Sequence, residues 1–157
     1  MTQKTIFLLI VVVLSCKAAY ACTCLQISHR DEFRQSHAVF VAKVIEVKQD
    51  LSYKPPKLNV SPTFQKMVDS TKRYTVRLRI EKNFKGVSAN EINLFAFTSD
   101  SGCSGLMFTQ GEKYLIYAAR EDGQLSDGGV CSRTAKFDKT SIEYRELERS
   151  FRKWSKS

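Results

Sequence analysis

The chain has 157 residues, of which 43% are hydrophobic and 26% charged, and its formal net charge at pH 7 is +9. This length fits one domain, and no segment reaches the roughly 20 apolar residues that a membrane-spanning helix needs. The basic residues are interspersed with acidic ones, which indicates a soluble, monomeric protein with at most weak binding to an acidic polysaccharide.

The N-terminus has the three-part pattern of a secretory signal. Lys4 supplies a positive charge, residues 6–14 form an unbroken apolar run, and Ala19 and Ala21 place small residues where a signal peptidase reads them. We therefore predict a signal peptide over residues 1–21 and one mature domain over residues 22–157, secreted to the extracellular space or a periplasm. A competing cleavage before Cys16 loosely fits a bacterial lipoprotein box and would give a lipid-anchored envelope protein.

The first half of the mature chain predicts one helix, one strand and one loop. Residues 28–36 are polar, and Asp31 follows Ser28 by three positions, which predicts a short capped helix. Residues 38–48 are rich in Val and Ile and predict a strand that is buried mostly at its start. Residues 49–71 contain all three prolines and little periodicity, so we expect a long loop there.

The second half predicts further strands. Residues 72–82 alternate between apolar and polar side chains, as a half-buried antiparallel strand does, and Gly86 supplies a turn after it. Residues 91–97 and 113–120 predict two more strands. The hairpin signal Asp122-Gly123 then precedes a short fifth strand at Gln124–Ser126.

The C-terminal part of the chain predicts a helix. Thr140 and Glu143 fit a capping box, and one apolar stripe follows at Leu147, Phe151 and Trp154. Four or five antiparallel strands with terminal helices predict a mainly β domain, a five-stranded OB-type Greek-key barrel, because closure removes exposed strand edges.

The cysteine count predicts disulfides. If Cys16 is removed or lipidated, an even set remains, namely Cys22, Cys24, Cys103 and Cys131, and four cysteines allow three pairings. Pairing Cys22 with Cys24 would close a strained ring, whereas either crossed pairing closes loops of roughly 80 to 110 residues, worth about 4 to 5 kcal/mol. A zinc site from the same residues is the alternative, which the tight C-x-C spacing and export disfavour.

Catalytic motifs are missing from the sequence. It has two histidines, His29 and His37, each expected at the surface, and it has no HExxH helix, GxSxG turn or phosphate-binding glycine loop. Cys103, in Gly102-Cys103-Ser104-Gly105, is expected to be consumed by pairing. We therefore predict a protein that is not an enzyme, needs no cofactor and, being exported, binds no nucleic acid.

The predicted mature N-terminus has donor atoms that could bind a metal ion. Cleavage after Ala21 leaves Cys22 with a free α-amine, whose ordinary pKa of about 7.7 to 8.0 leaves a neutral fraction near pH 7. That amine and the Cys22 carbonyl could chelate one metal ion, and disulfides at Cys22 and Cys24 would keep the segment rigid. Catalytic zinc keeps an open coordination position, so such a terminus could plug a zinc protease.

Several motifs together resemble one known family. Cys22-Thr23-Cys24 directly after the signal cleavage resembles the start of the tissue inhibitors of metalloproteinases and their netrin-like module. The similarity continues, in order, through residues 38–43, Phe84-Lys85-Gly86 and residues 111–116 to Cys131, so it covers nearly all of the mature chain.

The resemblance implies a fold and a site. It implies an OB-type barrel with Cys22–Cys103 and Cys24–Cys131 bridges, and chelation of the zinc of a metalloendopeptidase by the Cys22 amine and carbonyl. Thr23 would enter the specificity pocket of the protease. Ser101 and Gly102 would flank it on the protease surface, and the 49–71 loop would match the variable first hairpin loop of the family.

The chain also departs from the family pattern. The third bridge of the family's N-terminal domain is missing, because Arg34 falls about where its first cysteine would be and no cysteine follows Cys131. The cysteine-rich C-terminal domain is absent as well, so the chain resembles a minimal inhibitory domain. A netrin-like binding module without inhibitory activity is the alternative.

Overall fold

The computed structural model describes Cys24 and residues 27–99 and 105–154. The elements in this part of the chain are three helices and six strands: α1 (His29–Gln35), β1 (Ala38–Gln49), α2 (Pro62–Asp69), β2 (Lys72–Lys85), β3 (Glu91–Thr98), β4 (Lys113–Glu121), β5 (Gln124–Ser126), β6 (Ala135–Lys136) and α3 (Ile142–Trp154). Within the described part, no helix combines the length and apolar composition needed to cross a membrane.

Five of the strands close into a barrel. The strand β2 pairs antiparallel with β1 on one side and with β3 on the other. The strand β5 pairs in parallel with β3, at Ser126 and Phe95, and antiparallel with β4. The pairing of β4 with β1 completes the ring, and β6 is added at one end of β4. The predicted five-stranded OB-type Greek-key barrel is therefore confirmed.

The barrel strand β1 is buried on both faces. Phe40 and Val44 belong to the core inside the barrel, whereas Val39 and Val41 belong to a second core that also contains Tyr144 and Leu147 of α3. The strand β4 is divided in the same way, with Ile116 in the first core and Tyr117 in the second. This two-sided burial explains why the start of β1 is apolar at every position instead of alternating.

The prediction of a long loop over residues 49–71 is wrong in part, because this insertion contains α2. Ser61 caps the helix by accepting a hydrogen bond from the Phe64 amide at 3.3 Å, and Pro62 occupies the first turn. Proline fits that position because its missing N–H has no partner in a helix anyway. Gln65 then ties the helix to the preceding chain through the Leu58 amide (2.8 Å) and the Pro56 carbonyl (3.1 Å).

The short helix α1 is held at both ends by side chains. The predicted cap is confirmed, because Ser28 Oγ accepts a hydrogen bond from the Asp31 amide at 3.2 Å. At the other end the Lys85 ammonium donates to the carbonyls of Phe33, Arg34 and Ser36, at 3.0, 2.9 and 2.6 Å. A cation at this end also complements the helix dipole.

The C-terminal helix α3 begins one residue later than the capping prediction. The Tyr144 amide donates to Ser141 Oγ at 3.2 Å, so Ser141 caps the helix, while Thr140 Oγ1 donates instead to Asp138 at 2.7 Å. The predicted apolar stripe is confirmed at Leu147, which is buried, and at Phe151, which packs on the second core. The side chain of Trp154 lies outside the described residues.

Candidate functional site

Most of the predicted site residues lie outside the part of the chain that the structure describes, namely Cys22, Thr23, Ser101, Gly102 and Cys103. The predicted signal peptide, with Cys16, also lies outside it. The structure does describe Cys24, Cys131 and the residues that lead into and out of the 100–104 segment. These residues show where the barrel holds the two predicted contact segments.

A disulfide joins Cys24 to Cys131 across 107 residues of sequence, with the two Cα atoms 5.4 Å apart. It confirms one of the two bridges that the family resemblance implies, and it excludes a Cys22–Cys24 ring. It also excludes a zinc site that uses these two sulfurs as thiolates. The bridge anchors the chain two residues after the predicted mature terminus to the barrel.

The loop that carries Cys131 is fixed on strand β4. Ser132 Oγ donates to the Tyr117 carbonyl at 3.2 Å, and the Tyr117 amide donates to Thr134 Oγ1 at 3.0 Å. Gly128 has a φ of +73°, and a Cβ there would lie 3.0 Å from the Ser132 side chain, so the turn favours glycine. Cys131 is therefore held firmly on both sides.

Arg133 links this loop to the N-terminal segment. Its guanidinium donates to the Ile27 carbonyl at 2.6 Å and to Glu143 of α3 at 2.8 Å. Glu143 also accepts a hydrogen bond of 2.7 Å from the Tyr117 hydroxyl, and burial together with Glu143 raises the pKa of that phenol. We call Ile27, Arg133, Glu143 and Tyr117 the N-terminal clamp, because they attach the chain that follows Cys24 to β4 and α3.

His29 lies beside the clamp. Its two ring nitrogens are 2.7 Å from Glu143 and 2.9 Å from Glu146, and its side chain is about one third exposed. The expectation of a surface residue therefore describes His37, which is exposed, better than His29. Within the described residues, no three His, Cys, Asp or Glu side chains form a group that could hold a metal ion.

The two ends of the 100–104 segment meet beside Asp127. The Gly105 amide donates to the Phe97 carbonyl at 3.2 Å, so the chain leaves β3 and returns at almost the same point. A Cβ on Gly105 would lie 2.7 Å from that carbonyl oxygen and 2.9 Å from Asp127 Oδ2. Since Asp127 precedes Cys131 by only four residues, both predicted contact segments start from one edge of the barrel.

Asp127 is a buried carboxyl at this edge, with 1% of its surface exposed. Its Oδ1 accepts a hydrogen bond from the Gly129 amide at 3.1 Å, but Oδ2 is buried and has no hydrogen-bond partner within the described chain. Burial, with a smaller contribution from Glu121, raises the pKa of Asp127 to about 6. The carboxyl is thus costly to ionise where it lies.

The base of the 49–71 insertion lies next to the same edge. The ring of Tyr53 packs edge-on against Phe97 with centroids 5.7 Å apart, and the Arg73 guanidinium lies 4.9 Å from the Tyr53 centroid. Arg73 Nε also donates to Asp50 at 2.9 Å. Hydrogen bonds from Ser52 and Arg73 lower the pKa of Asp50 to about 2.

Sequence reasoning does not identify the clamp or Asp127 as part of this edge. Their partners are distant in sequence, 106 residues apart for Arg133 and Ile27. No motif marks them, and the position of Arg133, two residues after Cys131, is the only local hint.

A comparison with models of known protein families gives a match that covers most of the chain. The family model described as tissue inhibitor of metalloproteinase matches residues 20–154. A search of curated proteins finds no match. The matched range includes every element described above and both predicted contact segments.

Proposed function

Because the chain belongs to the tissue inhibitor of metalloproteinase family, we propose that it is a secreted inhibitor of zinc metalloendopeptidases. Its mature N-terminus, Cys22, would bind the protease zinc through the α-amine and the carbonyl oxygen. Thr23 would enter the specificity pocket, and Ser101 and Gly102 would contact the protease beside it. The family assignment supports metalloproteinase inhibition in general, and the chelating terminus is the specific part of the proposal.

The observation that carries the proposal is the anchoring of Cys24. A disulfide and the N-terminal clamp hold the chain on both sides of residues 25–26. If the mature chain starts at Cys22, the Cys24–Cys131 bridge leaves only Cys22 and Cys103 to pair with each other. A terminus fixed in this way loses little conformational entropy when it binds a metal, which favours tight binding.

The chemistry required of the terminus is simple. A neutral amine donates a lone pair to zinc, whereas an ammonium or an amide nitrogen does not. The position left open in a catalytic zinc site accepts such a donor, and occupying it excludes the water that the protease activates. Inhibition then follows from occupancy and needs no reaction by the inhibitor.

The insertion would extend the contact with the protease. Its base adjoins the edge that carries both contact segments, and its surface exposes Leu51, Leu58, Val60 and Phe64. Leu51 is 87% exposed. Exposed apolar side chains close to a binding edge supply buried area in a complex.

The deciding experiment changes only the terminus. The mature protein is compared with a variant that carries one extra Ala before Cys22, and a variant with one extra Ala after Ser157 serves as the matched control. Inhibition constants are measured against a panel of zinc endopeptidases, and melting temperatures check the fold. We expect the N-terminal addition to weaken inhibition by several kcal/mol, as the loss of a central contact does, and the C-terminal addition to change nothing.

Each other outcome has a defined meaning. Equal inhibition by all three proteins would refute the chelating mechanism. If the native form inhibits no protease in the panel, the non-inhibitory netrin-like binding module is the better description. Mass spectrometry of the exported protein tests the start of the chain, because a lipid on Cys16 would rule out a free Cys22 amine.

A further inference from the structure

His29, the first residue of α1, lies between two carboxylates of α3. Its Nδ1 atom is 2.7 Å from Glu143 and its Nε2 atom is 2.9 Å from Glu146. These are the distances of charge-assisted hydrogen bonds, in which the ring nitrogen donates and the carboxylate oxygen accepts. The side chain therefore joins α1 to α3 through both of its nitrogens.

Both contacts together require the protonated form of the ring. A neutral imidazole carries one N–H, so its second nitrogen would turn a lone pair toward a carboxylate oxygen at hydrogen-bonding distance. The imidazolium donates from both nitrogens and satisfies both partners. Because the His29 side chain is 33% exposed, water can reach the ring and exchange this proton.

The charges around the ring also balance only when His29 is protonated. Glu143 and Glu146 supply two negative charges, and the Arg133 guanidinium, 2.8 Å from Glu143, supplies one positive charge. A protonated His29 brings this group of four side chains to zero charge, whereas a neutral ring leaves one negative charge in excess. Glu32 follows His29 by three residues and so lies on the same side of α1, where it adds further negative charge.

The other groups near the ring do not replace its charge. The Arg133 guanidinium is 3.3 Å from Nδ1, but the same nitrogen already donates to Glu143 at 2.8 Å. The Tyr117 hydroxyl donates to the other oxygen of Glu143 at 2.7 Å, and Arg30 is exposed to solvent. A neutral His29 therefore keeps at most one of its two contacts with α3.

We propose that His29 is a positioning residue for the N-terminal segment, the chain from Cys24 to the start of α1, and that it ties this segment fully to α3 only when its ring is protonated. Cys24 is held by its disulfide and Ile27 by Arg133. His29 is a third attachment along the same stretch. Histidine side chains change charge between about pH 5 and 8, so this attachment is complete in acid and weakens as the pH rises through that range.

The consequence for inhibition rests on the proposed function. An α-amine becomes an ammonium as the pH falls, so a chelating Cys22 loses its zinc donor in acid. A more firmly held N-terminal segment loses less conformational entropy on binding. Positioning by His29 is strongest under the conditions that weaken the amine, and it would widen the pH range in which the protein inhibits.

The first test measures amide hydrogen exchange in the mature protein without a protease. The Asp31 and Glu32 amides are the reporters, because they donate to Ser28 Oγ and to the Ser28 carbonyl at 3.2 and 3.0 Å. Protection, corrected for the intrinsic pH dependence of exchange, is compared at about pH 5.5 and pH 8. The proteins are the native form, His29→Gln and the matched control His37→Gln, which removes an exposed histidine.

In the native protein and in His37→Gln, we expect protection to be about threefold to fivefold lower at the higher pH. His29→Gln should show the lower protection at both pH values. Glu146→Gln is a second variant that keeps the histidine. Its amide can accept from a protonated ring nitrogen or donate to a bare one, so protection should hardly depend on pH. Melting temperatures check that each variant folds.

The second test compares inhibition of one zinc endopeptidase by the same proteins. Effects of pH on the protease and on the Cys22 amine cancel in the ratio of the inhibition constants of His29→Gln and the native protein. We expect the native protein to inhibit about threefold better than His29→Gln near pH 5.5, and equally well near pH 8.

Two exchange results would overturn the proposal: equal native protection at both pH values, or the same pH dependence in His29→Gln as in His37→Gln. If exchange behaves as expected but the ratio of inhibition constants does not change with pH, His29 does not position the terminus for the protease. A native protein that inhibits no protease contradicts the proposed function instead, and the exchange data still decide the role of His29.

Discussion

The N-terminal clamp makes a quantitative prediction for Arg133→Met, which keeps the aliphatic stem and removes the guanidinium. The variant loses charge-assisted hydrogen bonds to Ile27 and Glu143, of 2.6 and 2.8 Å. Such bonds contribute about 1.5 to 3 kcal/mol each when buried. Because the Arg133 side chain is 29% exposed, we expect the low end, about 2 to 3 kcal/mol for both together.

For a domain of this size, that loss corresponds to a melting temperature lower by roughly 6 to 12 °C. Differential scanning calorimetry measures it, and Arg30→Met, which removes an exposed arginine of α1, is the matched control. Hydrogen exchange should also become faster around residues 27–29, while the barrel strands stay protected. A melting temperature equal to that of the control would refute the clamp as a source of stability. Unchanged exchange at residues 27–29 would refute it as the anchor of the N-terminal segment.

The other predictions concern the terminus, the buried carboxyl and α1. Thr23→Gly should weaken inhibition of most zinc endopeptidases and leave the melting temperature unchanged, and an equal loss of stability would make Thr23 structural. Asp127 has its pKa raised from 3.8 to about 6, so the folded state holds the proton more tightly and stability falls as the pH rises from about 4 to 6, by about 3 kcal/mol. Asp127→Asn should therefore be more stable than the native protein at pH 7.5 and equal to it near pH 4 in urea unfolding, and a difference independent of pH would contradict this. Lys85→Met should cost about 1 to 2 kcal/mol by uncapping α1, measured by urea unfolding against Lys54→Met, and identical midpoints for the two variants would show that the cap is inert.

The sequence predicts the strands well because the alternation of apolar and polar residues along a strand reflects which of its faces is buried. Tyr74, Val76, Leu78 and Ile80 alternate toward the barrel core as expected. The continuous apolar start of β1 also has a physical reason, since the strand lies between two cores. Local sequence patterns are therefore enough to predict most of the barrel strands, including the short strand Gln124–Ser126.

Features that depend on competition between neighbours are predicted less well. Thr140 and Ser141 are both able to cap a helix, and only the contact of Thr140 with Asp138 decides that Ser141 does so. Pro62 suggests a loop when counted with Pro55 and Pro56, yet it begins a helix because Ser61 precedes it.

Only those residues of the candidate site that belong to a recognisable sequence motif could be predicted. Cys24 and Cys131 are found through the cysteine pattern, and the structure confirms their pairing. Arg133 acts through Ile27 and Glu143, and Asp127 lies beside Gly105, so their roles depend on residues that are distant in sequence. Apart from the closeness of Arg133 to Cys131, their local sequence does not reveal these roles. Their roles depend on long-range geometry, which periodicity does not encode.

The attachment of α1 by Lys85 also affects how the protein can mature. The ammonium holds the carbonyl of Arg34 at 2.9 Å, at about the position where the family resemblance expects a cysteine. A six-cysteine chain must find one arrangement among 15, whereas this chain, if it matures by cleavage before Cys22, has four cysteines and three possible arrangements. Oxidative maturation of such a chain has fewer mispaired intermediates to reshuffle, and the contacts of Lys85 with the α1 carbonyls form without an oxidant. We expect high yields of correctly paired protein from simple air oxidation, with little dependence on a disulfide isomerase.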